Sequence, residues 1–176
     1  MEKENRTFAT GFKWSTEVII LTSFTFVVIL GVIASFYPQW PAGMLWMKYL
    51  IVMIVLSIVV IPAAYCPMRL SVDDERIVLK RVVGKLEIKL TEVRSITVAS
   101  KKDISGSIRT FGSGGLYGFL GHFYNKKLGH YIMYATDRRS LVYIRTAKGK
   151  YIFSTPQPQA FVDATNGKLQ ALPKRA

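Results

Sequence analysis

The chain is poor in the groups that most enzymes use. Its 176 residues include one cysteine, two histidines and 11 acidic residues. Cys66 has no intrachain partner, which excludes a disulfide scaffold. His122 and His130 lack metal-ligand spacing to each other or to a cysteine or acid cluster. They read as surface or hydrogen-bonded residues, because a poised pKa alone assigns no role. A serine nucleophile elbow needs G-x-S-x-G, whereas Ser113 stands in Phe111-Gly112-Ser113-Gly114-Gly115. No G-x-x-x-x-G-K-[ST] can be written, and Gly112-x-Gly114 meets Tyr117 where a dinucleotide fingerprint needs its third glycine. An enzyme is therefore not expected, nor is a metal or cofactor.

Charge is missing too, but only from one part of the chain. Before Arg69 the charged residues are Glu2, Lys3, Glu4, Arg6, Lys13, Glu17 and Lys48, whereas 20 of the 24 basic and 8 of the 11 acidic residues lie from Arg69 onward. The chain is 50% hydrophobic with a formal charge of +13, so its apolar and positive excesses belong to different modules. Val18 to Tyr37 and Tyr49 to Met68 are each 20 successive uncharged residues. At about 1.5 Å per residue either run covers the ~30 Å hydrocarbon core of a bilayer. Pro62 is expected to end the second helix near Ala64 to Cys66. The reading is transmembrane helices at 18–37 and 49–66, joined by a turn at 38–48 that holds Pro38-Gln39-Trp40-Pro41-Ala42-Gly43. The two helices are expected to form a tight hairpin. Gly31-x-x-x-Ser35 is expected to pack them together, with a dimer face as the alternative.

A cleaved secretory signal competes for the first run. Its apolar stretch is too long, no A-x-A site follows, and a second run comes directly after it. The connector has no Lys or Arg from 38 to 47, while Lys3, Arg6 and Lys13 precede the first run and Arg69, Arg76, Lys80 and Arg81 follow the second. The positive-inside rule then places both termini in the cytoplasm, with 1–17 a short cytoplasmic segment and the remainder at the inner face of the cell membrane. In that reducing compartment Cys66 serves as a small apolar filler.

After Arg69 the hydrophobic period changes to two. Leu86 to Leu90 alternates, as does Val93 to Val98, and apolar runs recur at Ile77–Leu79, Tyr131–Tyr134, Leu141–Ile144 and Tyr151–Phe153. Turn residues separate them at Asp73-Asp74, Val83-Gly84-Lys85, Asp137 to Ser140 and Ala147 to Lys150. Six or seven strands in an antiparallel meander are expected, forming a barrel or sandwich. A terminal helix capped by Thr155-Pro156 would plug it with Phe161 and Ala164 and stop at Asn166-Gly167.

Here the residues resemble a family. Tyr134-Ala135-Thr136-Asp137, Val142-x-Ile144-x-Thr146, Gly149-Lys150, Ser154-x-Pro156 and Phe161, together with Arg109 to Phe119 (RTFGSGGLYGF), are similar to the bacterial pleckstrin-homology-like (PH-like) domain of small membrane-anchored proteins. The resemblance covers 69–172 and implies a strongly bent sheet capped by a C-terminal helix, so the fold class expected is an α+β membrane protein. It implies no catalytic set. Phosphoinositide-binding relatives carry basic residues between their first two strands, whereas this chain has Ser71-Val72-Asp73-Asp74-Glu75-Arg76, whose three acids speak against that mode.

The most unusual stretch is Thr110 to Asn125, 16 uncharged residues with five glycines and five aromatics, flanked by Lys101, Lys102, Arg109, Lys126 and Lys127. Two readings stand. In one, it is a loop that dips Phe111, Leu116, Tyr117, Phe119, Leu120, Phe123 and Tyr124 into the headgroup region while the cations meet anionic lipid. In the other, the loop folds over the barrel and its aromatics complete the core. Helix-turn-helix, zinc-finger and RRM patterns are absent and the cations are scattered, so nucleic acid is not the expected partner. The expected function is a non-enzymatic module for anionic lipid or protein binding at the membrane. The alternative is an accessory subunit of a membrane protein complex.

Overall fold

The period-two segments become strands and the two uncharged runs become helices in the computed structural model, which describes residues 7–36 and 45–171. The connector Pro38 to Gly43 and the cations Lys3 and Arg6 lie outside the described residues. Strand β1 (Phe8–Gly11) precedes helices α1 (Thr16–Phe36) and α2 (Leu45–Ala64). Then come β2 (Pro67–Val72), β3 (Arg76–Arg81), β4 (Lys85–Lys89), a 3-10 turn (Leu90–Glu92), β5 (Val93–Ala99), β6 (Ile108–Gly115), β7 (Gly118–Asn125), β8 (Gly129–Ala135), β9 (Leu141–Thr146), β10 (Lys150–Ser154) and α3 (Pro158–Ala171).

The strands form two sheets and no closed barrel: β1-β2-β3-β4 and β5-β9-β10-β8-β7-β6. The 3-10 turn at Leu90 carries the chain from one sheet to the other, so β5 pairs with β9 and not with β4. Nor is the order a simple meander. From β8 the chain crosses to β9 and then turns back, placing β10 between them and parallel to β8, with Tyr151 opposite Ile132. The crossing is held by hydrogen bonds from the Thr136 N–H to Ser154 Oγ and from the Thr155 N–H to the Ser140 carbonyl.

The core lies between the sheets under α3, built from Leu70, Val72, Ile77, Leu79, Ile144, Phe153 and Phe161, and a second cluster gathers around Phe123, Tyr131 and Met133. Helix α3 begins at Pro158, later than Thr155-Pro156 suggested, and runs through Asn166-Gly167 to Ala171. Its last turn persists because Leu169 packs on the core and Lys168 pairs with Asp74.

Both N-terminal helices are long and apolar enough to cross a membrane, with mean hydropathies of 2.6 and 2.3 over Thr16–Ser35 and Trp46–Ala64. Large apolar side chains such as Phe24, Leu30, Met53 and Ile61 are exposed along them. Strand β1, missed in the sequence because it is only four residues long, pairs antiparallel with β2 from Phe8↔Val72 to Gly11↔Arg69. The chain therefore leaves for α1 from the strand pair to which it returns from α2, and the two helices meet the sheets on one side.

The expected tight helix pair is not what forms. Among the described residues, a Cβ added at Gly31 meets nothing within 4 Å, so Gly31 is not a point of close helix approach there. Thr25 and Ser57 turn their hydroxyls back onto the carbonyls of Leu21 and Met53 in their own helices. The base of α1 packs instead against the tip of another element.

Candidate functional site

That element is the hairpin of β6 and β7, which occupies the stretch the sequence presented as a loop. Glycine is depleted in strands, so five of them masked the pairing. Two explain why they are needed. Gly112 and Gly121 face each other across the ladder with φ of 114° and 116°. A Cβ on Gly112 would stand 2.0 Å from the Leu120 carbonyl oxygen, and one on Gly121 would stand 2.4 Å from that of Phe111. The two backbones cross more closely than any side chain permits.

Leu116 and Tyr117 form the turn, with Tyr117 in the left-handed region at φ 57°. That conformation costs a non-glycine residue about 1–2 kcal/mol, and contacts on both sides hold it. The Tyr117 N–H donates to Thr22 Oγ1 of α1 at 3.1 Å, and Cys66 Sγ approaches the Tyr117 carbonyl at 3.9 Å. The Tyr117 ring meets Trp14 and Phe26 edge-on, with centroids 6.2 and 6.3 Å away, and burial pushes its phenol above the ordinary value. Leu116 is half-buried and its carbonyl accepts from Ser113 Oγ. The tip is thus a wedge between α1 and Cys66, just beyond the end of α2. Thr22→Val removes the acceptor of a buried N–H, which costs about 1–3 kcal/mol. Hydrogen exchange at the Tyr117 amide should accelerate at least fivefold, and unchanged exchange would show that the tip is held by its ring alone.

The faces of the hairpin differ. On one, Arg109 lies over Gly114, whose added Cβ would meet its Nη1 at 3.0 Å, and Phe119 carries the Arg138 guanidinium 4.2 Å above its ring. Lys101 approaches from the turn after β5. That turn is tied by Asp103, whose carboxylate accepts from the Ser100 N–H at 2.7 Å and hydroxyl at 2.8 Å, bonds that hold it below its ordinary pKa. Together these residues line a cleft of about 480 Å³ with Ser107, Phe123 and Met133 on its walls. Glu17, in the first turn of α1, accepts from Arg138 at 2.8 Å and Lys101 at 3.3 Å. Two of the cleft's three cations, Lys101 and Arg138, share this one carboxylate, so the cleft keeps a positive excess. The Arg138 Nε is buried without a hydrogen-bond partner.

The candidates from the sequence therefore divide. Lys101, Arg109 and Phe119 share the cleft. Lys102 follows in the same exposed turn, and Lys126 and Lys127 are exposed in the turn after β7, where the charge of Lys127 helps lower the Asp103 pKa. Leu116 and Tyr117 form the wedge. Phe111, 75% exposed, lies on the opposite face with its ring 6.4 Å from that of His122. Within Thr110–Asn125, Leu120 and Phe123 are buried in the core, whereas Phe111 and Tyr124 are exposed. Sequence reasoning missed Glu17, Thr22 and Arg138. Arg138 lies in the Asp137 to Ser140 turn, whose composition signals a turn and not a site.

Among the described residues no three His, Cys, Asp or Glu side chains gather to hold a metal. Between β2 and β3 the exposed acids are paired, Asp74 with Lys168 and Glu75 with Arg76. No curated protein and no solved structure matches the chain. Residues 68–169, more than half of its length, match the family model of the bacterial PH domain, from β2 through most of α3. The chain belongs to the bacterial PH domain family and carries two long apolar helices ahead of the matched domain.

Proposed function

We propose that the protein is a non-catalytic binding module of the cell membrane. Its helices cross the bilayer, both termini face the cytoplasm, and the cleft of Lys101, Arg109 and Arg138 binds an anionic lipid headgroup. The observation that carries this reading is the double contact of Glu17 with Lys101 and Arg138. It fixes the cations at the first turn of α1, where the helix would enter the hydrocarbon and lipid phosphates would lie. Each cation near a charged leaflet contributes about 1 kcal/mol. The charge-free connector and the basic residues after α2 support the orientation.

A test needs the whole chain, because a fragment starting at residue 69 lacks β1 and the wedge contacts. In dioleoyl phosphatidylcholine proteoliposomes, spin-labelled phosphatidylglycerol should associate with the protein several-fold more strongly than spin-labelled phosphatidylcholine. Replacing Lys101, Arg109 and Arg138 by glutamine should bring the two lipids to equality, and added salt should do the same for the native chain in part. Equal association with the native protein would move the accessory-subunit reading ahead.

A further inference from the structure

A second cavity, of about 670 Å³, opens on the other face of the hairpin. One wall runs from Met53 of α2 to Tyr65, the residue after its end, and the opposite wall includes Phe111, Leu120, His122 and Tyr134. Met53 and Tyr65 are twelve positions apart. That is about 18 Å along a helix, a little over one leaflet of a ~30 Å hydrocarbon core. The α2 wall is made of side chains that are otherwise exposed, with Met53 at 63% and Ile61 at 59%.

Arg81 is not part of the lining but packs directly against two residues that are, Tyr65 and Tyr134. Its guanidinium carbon lies 5.1 Å from the Tyr65 ring centroid and 5.9 Å from that of Tyr134, and Nη1 donates to the Tyr134 hydroxyl at 3.2 Å. Its Nε is buried with no hydrogen-bond partner. Among the described residues the ion pairs of Arg76, Lys85, Arg138, Arg139, Lys148 and others are formed, and Arg81 forms none. A buried donor without an acceptor is costly, and an anionic oxygen supplies both the acceptor and the counter-charge.

We propose that this groove holds one anionic phospholipid of the surrounding leaflet, with its phosphate against Arg81 and one acyl chain between α2 and the hairpin. The inference rests on the reading of α1 and α2 as membrane spans, but not on the cationic cleft. The wedge at Tyr117 gives it a structural origin. It seats the hairpin against α1, the slot between the hairpin and α2 stays apolar, and the charge beside Tyr65 selects the headgroup.

The test uses the full-length protein in mild detergent, loaded separately with dioleoyl phosphatidylglycerol, dioleoyl phosphatidylcholine or oleate, with retained lipid counted by native mass spectrometry. One phosphatidylglycerol should survive washing, with phosphatidylcholine retained at least tenfold less. Arg81→Gln should lower that retention at least tenfold. Ser57→Trp, which fills the groove from a helix position bonded only to its own turn, should abolish it without changing thermal melting. Lys101→Gln combined with Arg138→Gln should leave this lipid in place, which separates a failure of the groove from a failure of the cleft. Undiminished retention in Ser57→Trp, equal retention of phosphatidylcholine, preference for oleate, or a dimer mass replacing the bound lipid would each overturn the proposal. Should Arg81→Gln not fold, Ser57→Trp decides alone.

Discussion

Phe161→Ala is expected to lower the stability of the folded domain by about 3 to 5 kcal/mol, the range for truncating a fully buried aromatic ring. Phe161 is 0% exposed and projects from α3 into the core between the sheets. Its ring also meets Phe8 of β1 edge-on at 6.1 Å. The cavity would therefore lie beneath two elements, and β1 has only four residues of pairing with which to resist. Equilibrium unfolding of the full-length protein in mild detergent measures the loss, and faster amide exchange in Phe8–Gly11 should accompany it. A loss below about 1 kcal/mol would mean that the sheets close without the helix.

How far the sequence revealed this architecture depended on the physics of each element. Leu86–Lys89 lies in β4, where burial alternates, and Val93–Val98 and Tyr151–Phe153 lie in β5 and β10, whose burial does not alternate. The long apolar runs became α1 and α2 because helices of that composition need length and little else. Topology was not legible. Nothing local in Asp137 to Ser140 says that the chain steps over the place of β10 before returning, so the parallel pair and the open second sheet appeared only with the coordinates. Phe8–Gly11 was too short to carry a period.

The site was legible in part. Lys101, Arg109 and Phe119 were identified by proximity to an odd glycine-aromatic stretch, and the fold brings them to one cleft. Glu17 and Arg138 are 121 residues apart in sequence, so no spacing rule could join them. The helix pair misled for a different reason. Small residues four apart permit close approach but do not compel it, and the tip at Tyr117 supplies α1 with a partner first.

The glycines of the hairpin offer the second large effect. Gly112→Ala places a methyl 2.0 Å from the Leu120 carbonyl oxygen and 3.0 Å from Gly121 Cα, at a backbone φ of 114°. The neighbouring atoms are backbone, so neither can rotate away. Strain of that φ for an L-residue and the overpacking together are expected to cost about 3 kcal/mol or more. Gly106→Ala is the control. It also has positive φ, at 74°, but its Cβ meets nothing within 4 Å, so only the ordinary left-handed penalty of about 1 kcal/mol applies. Because Gly112 lies between Arg109 and the Tyr117 tip on one strand pair, relief of the clash should open the ladder locally before the core unfolds. Amides of β6 and β7 should exchange faster while those of β9 and β10 keep their protection, and lipid selectivity should fall with Arg109 still present. A Gly112→Ala protein that melts like Gly106→Ala and keeps β6 and β7 protected would show that the crossing tolerates a side chain and that the wedge does not depend on it.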